Sequence, residues 1–272
     1  MLAVLLLVVS LSACVRKADS DRPLLVATTG IIGDVVGTIG GPDFEVLTLI
    51  PAGTDPHEYA PSARQVAAIS GAEHVFANGL GLEEGLIDLL EQAESEGLQV
   101  SYLAEEADPI DGDPHFWQDP VRMSQAAALI ATALGATDDF QATLEELNRD
   151  VEKLVSVIPE ERRLLVTSHN FLAYFADRYG FEVVGTIIAN PSASPSSAEL
   201  AELVAIIEEQ AIPAIFVENT GSDDLAGSIG EETGAELVEL ASDALGDPGS
   251  ETGTYVDMMR FNARAIAAAL GG

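Results

Sequence analysis

Cysteine, positive charge and long apolar runs are all scarce in this chain of 272 residues. The single cysteine, Cys14, excludes an internal disulfide. Twelve lysines and arginines stand against 45 aspartates and glutamates, a formal charge of −33. So few cations exclude nucleic acid as a partner, because its binding rests on neutralising phosphates. They also exclude an electrostatic grip on anionic lipid. The acids are spread along the chain, which suits a solvated acidic surface; their other use is attraction of cations. The longest unbroken apolar run, Leu2 to Val9, is well short of the ~20 residues that cross a bilayer as a helix. Histidine is rare too, with four in all.

What is present begins with a processing signal. The run Leu2 to Val9 leads into Leu11-Ser12-Ala13-Cys14, which looks like a bacterial lipobox although no Lys or Arg precedes the cysteine. The expectation is a signal peptide over 1–13, lipid on Cys14, and a polar linker over 14–22. The mature protein would then be extracytoplasmic and tethered to a membrane.

Beyond the linker, short apolar β-branched runs alternate with helical patterns. Strands are expected at Leu24–Thr28, Phe44–Ile50, His74–Ala77 and Val100–Leu103, with helices between them. Two helical stretches follow, one opened by Asp119-Pro120 and a longer one from about Asp138 to Val157. The unit then restarts, with strands at Leu164–Thr167, Glu182–Ile188, Ala214–Val217 and Glu236–Leu240 and a closing helix at Tyr255–Leu270. The fold class is therefore α/β: two βα lobes with mostly parallel sheets, joined by one long helix. The lobes are expected over 23–137 and 159–272, with the linking helix over 138–158. An apolar fraction of 47% is ample for both cores.

Three histidines sit in polar, turn-like settings. Asp55-Pro56-His57 and Asp113-Pro114-His115 repeat one tripeptide, and the third lies in Thr167-Ser168-His169. Neutral imidazole is the commonest side-chain ligand of first-row metals, and the prolines restrict the backbone ahead of two of the rings. The alternative is three unrelated surface or cap histidines, since no two are spaced as in a zinc finger. His57, His169 and Asp243 each follow an expected strand, and His115 lies in the loop leading out of the first half. In open α/β sheets that end of the strands is where ligands bind, so a site built by all four would lie in the cleft between lobes. Glu218 ends a strand on the same side and reads as a partner behind the ligands or as a surface acid. His74 opens a strand and reads as structural, and Trp117 as packing on the cleft wall. Gly79-Leu80-Gly81 lacks the third glycine of a dinucleotide fingerprint and reads as a turn.

Several stretches together resemble one family. They are Ala27-Thr28-Thr29-Gly30-Ile31-Ile32-Gly33-Asp34, Pro51 to Tyr59 with its Asp-Pro-His, Asn78-Gly79-Leu80-Gly81-Leu82-Glu83, Asp113 to Pro120, Thr167-Ser168-His169, Phe216-Val217-Glu218 and Tyr255 to Asn262. In this order they resemble the metal-binding lipoproteins that serve as substrate-binding proteins of bacterial zinc and manganese ABC transporters, over nearly the whole chain after Cys14. The resemblance implies four metal ligands: His57, His115, His169 and Asp243. It also implies a membrane permease as partner and a monomer that carries out no chemistry. Manganese-preferring members commonly have glutamate where this chain has His169, so the donor set points to Zn²⁺, with Mn²⁺ as the alternative. Zinc-specific members often carry a His-rich loop before the second ligand, whereas Ala104 to Gly112 is short, acidic and free of histidine. Asn170 stands where relatives often have aspartate, and would alter the surroundings of the third ligand. The rival readings are a zinc hydrolase and a surface adhesin. The sequence has no His-Glu-x-x-His helix for the first and no separate adhesive module for the second.

Overall fold

A computed structural model of the chain describes residues 22–137, 139–188, 194–220 and 224–271. Cys14 and the expected signal peptide lie outside the described residues.

The first half forms a four-stranded parallel sheet from β1 (Leu24–Ala27), β2 (Glu45–Thr48), β3 (His74–Ala77) and β4 (Gln99–Tyr102), in the order β2-β1-β3-β4. The second half repeats this with β5 (Leu164–Thr167), β6 (Glu182–Thr186), β7 (Ala214–Glu218) and β8 (Glu236–Leu240), in the order β6-β5-β7-β8. Parallel strands need crossover connections, and these are the helices α1 (Gly30–Gly40), α2 (Ala63–Ser70) and α3 (Ile87–Ser95) in the first half. In the second they are α6 (Ala173–Tyr179), α7 (Ser197–Glu209) and α8 (Asp224–Thr233). Between the sheets run α4 (Pro120–Leu134) and α5 (Phe140–Val155), and α9 (Tyr255–Leu270) closes the chain.

Strand periodicity explains the core. Leu25 and Ala27 of β1 face the main core, whereas Val26 faces a smaller cluster that includes Ile69 of α2 and Leu90 of α3. In β7, Ala214 and Phe216 face the main core, and Ile215 and Val217 an outer cluster with Leu203 and Ile229. The main core is continuous across both halves, from Leu25 and Phe76 through Phe116, Trp117 and Leu144 to Phe175, Phe216 and Met258. Helix α5 buries Phe140, Leu144, Leu147, Val151 and Val155, one stripe at helical spacing.

Two helices begin late for a local reason. The helix that follows β5 starts only at Ala173, because the Phe171 amide donates to the His169 carbonyl at 2.9 Å and bends the chain into a tight turn there. The helix expected after Gly81 first makes a single 3-10 turn at Glu84–Leu86. Ahead of it Gly79, Leu80 and Gly81 have φ of +88°, +51° and +79°, a left-handed turn that glycine adopts at little cost.

Candidate metal centre

All four residues singled out from the sequence converge beyond the carboxyl ends of the two sheets. One donor atom from each of His57, His115, His169 and Asp243 fits in a group whose members all lie within 4.8 Å of one another. His57 follows β2 and His115 follows β4, while His169 follows β5 and Asp243 follows β8. Each half thus contributes two.

The two Asp-Pro-His tripeptides fold alike. The His57 amide donates to Asp55 Oδ1 at 2.8 Å, and the His115 amide to Asp113 Oδ1 at 2.8 Å. Such side-chain-to-backbone bonds two residues apart are Asx turns, which the intervening proline favours. The second copy does more, because the same Asp113 oxygen lies 2.6 Å from His115 Nδ1. That bond places a proton on Nδ1 and leaves Nε2 pointing to the centre. His169 is held the same way, with Nδ1 3.0 Å from Glu218 Oε1. Glu218 also accepts from Thr220 Oγ1 at 3.0 Å. Carboxylates behind ligating histidines fix the ring and raise its basicity. Asn170, by contrast, is exposed at the mouth of the cleft and hydrogen-bonds none of the four.

The centre is small and largely buried. Asp243 is 2% exposed and His115 4%. Asp243 Oδ1 lies 3.7 Å from His115 Nε2, and Oδ2 lies 3.5 Å from His169 Nε2 and 3.8 Å from His57 Nε2. His115 Nε2 and His169 Nε2 are 3.2 Å apart. Tetrahedral bonds of about 2.0–2.1 Å put donors roughly 3.3–3.4 Å from each other, so the spacing suits one first-row cation. Both Asp243 oxygens and His57 Nε2 are buried without a hydrogen-bond partner among the described residues. Buried polar atoms are normally paired, and a cation between them would satisfy all three at once. A cavity of about 380 Å³, lined by His57, Ile110, Asp113, His115 and His169, leads in from outside.

Protonation follows from these contacts. Burial raises the Asp243 carboxyl above its usual range, against the pull of the neighbouring histidines. Burial lowers His57, with Asp243 opposing. Burial would lower His169 as well, but the Glu218 hydrogen bond and the charges of Asp243, Glu218 and Asp55 outweigh it and bring its pKa to about 9. The metal-free centre therefore holds a proton on His169, and the 3.2 Å contact lets it donate to His115 Nε2.

Other residues fall as expected or go further. His74 Nε2 meets Ser101 Oγ at 2.8 Å and its ring stacks on Phe76, a structural role. Trp117 is buried, with its ring centroid 5.2 Å from that of His115, and its indole donates to the Ser242 carbonyl at 2.9 Å. Nothing in the sequence pairs Trp117 with Ser242, 125 positions away. Asp113 was legible only as part of the repeated tripeptide.

Comparison with known proteins gives concordant results. Residues 25–269 match the family model described as zinc-uptake complex component A, periplasmic. The chain is 33% identical to the zinc-binding protein TroA of Treponema pallidum, over 93% of this chain and 90% of that protein. It is 29% identical to the manganese ABC transporter substrate-binding lipoprotein PsaA of Streptococcus anginosus, over 99% and 97%. The solved structure of the periplasmic zinc-binding protein TroA superposes with a TM-score of 0.83 at 29% identity, covering 92% of this chain and 99% of that one.

Proposed function

The chain belongs to the zinc-uptake complex component A family, and from that membership we propose that it captures Zn²⁺ outside the cytoplasm and hands it to an ABC permease. His57, His115, His169 and Asp243 would be the ligands. The observation that carries this reading is the buried Asp243 carboxylate, without a hydrogen-bond partner among the described residues, facing three imidazole nitrogens. Relatives bear names of both zinc- and manganese-binding proteins. Three nitrogens and one carboxylate favour zinc, since nitrogen-rich sites follow the Irving–Williams order and manganese prefers oxygen.

The role is delivery without chemistry. A catalytic zinc keeps one position open for water, whereas these four protein donors would fill a tetrahedral sphere. The lipobox-like segment ending at Cys14 supports tethering by lipid, with the protein acting as a monomer. None of the described helices is long and apolar enough to cross a membrane.

Metal titration of wild type beside His169→Glu tests the reading. Wild type is expected to bind one zinc per chain, at least about 100-fold tighter than manganese, with the glutamate narrowing that gap. A wild type that binds no stoichiometric metal would end the proposal.

A further inference from the structure

We infer that Trp117 is a positioning residue that sets the metal preference of the centre by strapping the Asp243 loop to the His115 turn across the two lobes. The inference rests on the metal-binding reading above.

The four donors are held by different means. His115 and His169 are fixed through their rings, by Asp113 and Glu218. Asp243 has no such bond to its carboxylate. Apart from the facing imidazoles at 3.5–3.8 Å, its place is set by the main chain of residues 241–243. That segment is gripped from three sides. Asn262 of α9 bonds both the amide of Ala241, at 3.0 Å, and its carbonyl, at 2.8 Å. Asn219 Oδ1 accepts the Ser242 amide at 3.3 Å. Both belong to the second half of the chain. Ser242 Oγ also donates to Glu218 at 3.5 Å, and the third grip comes from the first half: Trp117 Nε1–H donates to the Ser242 carbonyl at 2.9 Å, with Gln118 Nε2 a longer second donor to the same oxygen at 3.4 Å.

Trp117 lies on the 3-10 turn Phe116–Gln118 that directly follows His115. The indole N–H therefore joins the residue two after one ligand to the residue one before another. Tyr255 of α9 secures the turn in its place, its hydroxyl donating to the Trp117 carbonyl at 2.8 Å. This strap spans the halves beside the edge between His115 Nε2 and Asp243 Oδ1, which measures 3.7 Å.

The two metals differ in their need for that edge. Zinc in a closed tetrahedral site requires short, fixed separations. Manganese suits carboxylate and water oxygens in a larger coordination shell, so it tolerates an aspartate that retreats or binds through both oxygens. Slackening the strap should therefore cost zinc more than manganese.

The test is competition calorimetry with a chelator on the full-length protein in detergent, measuring Zn²⁺ and Mn²⁺ separately for wild type, Trp117→Phe and Tyr255→Phe. Phenylalanine keeps much of the buried ring and removes the N–H. The expected result for Trp117→Phe is a zinc Kd raised about tenfold, the scale seen when a group behind a ligand is removed, with manganese changed by less than about twofold. Tyr255→Phe, which deletes one hydroxyl, should shift the ratio in the same direction by a smaller factor, and it carries the test if Trp117→Phe fails to fold by circular dichroism. Equal loss for both metals, or no loss for either, overturns the strap. A wild type that binds neither metal overturns the metal-binding reading itself, which separates the two failures.

Discussion

At the proposed centre a proton and a metal ion would compete for the Nε2 lone pair of His169. With its pKa raised to about 9 in the metal-free protein, the ring is protonated at pH 7.5, so binding must expel that proton. Zinc affinity should rise from pH 6.5 to about 9, with close to one proton released per ion at pH 7.5. Calorimetry in buffers of different ionisation enthalpy would measure it; release near zero would contradict the Glu218 contact. The linkage to folding has the opposite sense. A histidine whose folded pKa is raised adds stability that is complete below about 6.5 and lost as pH rises through about 9, so this contribution to the metal-free protein fades over the window where metal affinity grows. Asp243 is the second residue with conflicting demands. Its buried carboxylate has no hydrogen-bond partner among the described residues, only imidazole nitrogens at 3.5–3.8 Å, an arrangement that favours binding over stability. Asp243→Asn should stabilise the metal-free protein by about 1–2 kcal/mol while reducing zinc affinity at least about 100-fold. Thermal melts with and without zinc would read both effects, and a lower melting temperature without metal would refute the first.

At the scale of elements, legibility followed periodicity. The buried stripe of α5 and the two-sided burial of β1 and β7 lie open in the sequence, because each is a local repeat of apolar residues. The onset of α6 is not, since a tight turn at His169, which no apolar repeat marks, displaced it. The contacts that pin elements together are also hidden, for they join residues far apart. Asp119 is the clearest case. As the N-cap of α4 it accepts from the Val121 amide at 2.8 Å, an expectation from Asp119-Pro120 alone. The same carboxylate takes two bonds from Arg178 of α6, at 2.9 and 2.8 Å, and one from Arg122 at 2.7 Å. Removing one partner of such a buried network is far costlier than losing an exposed pair. Asp119→Ala should lower the unfolding free energy by about 3 kcal/mol, measured by urea denaturation. A loss below about 1 kcal/mol would show the network to be inessential.

For the molecule as a whole, the continuous core decides how the lobes can move. Trp117, Leu144, Phe175 and Met258 belong to one buried cluster, and Tyr255 at the start of α9 donates its amide to Asp34 of α1 at 2.8 Å. An apolar interface of this kind resists the domain motion that a small polar one permits. Small-angle scattering on the chain from Ala18 onward should give a radius of gyration of about 18 Å, changing by less than about 1 Å when zinc binds. A change of several ångströms would require a hinge that this packing does not provide. Release would then come from small shifts that lengthen donor separations in a rigid centre, and the site's dependence on sub-ångström spacing makes such shifts sufficient.

The family resemblance implied His57, His115, His169 and Asp243 as the donors; the sequence by itself determined the class of fold and the side of the sheets on which they gather. Each of those follows from local pattern: apolar alternation builds parallel strands, and loops after parallel strands collect at one end. The repeated Asp-Pro-His carried its own turn geometry, since the bond from Asp to the histidine amide spans two residues. Only the tertiary structure decided that the four donors share one cation-sized space, that Glu218 backs His169 and Asn170 does not, and that Trp117 reaches Ser242. Those facts depend on how two sheets are set against each other by a common core, and no local pattern encodes a distance between residues that meet only after both lobes have packed.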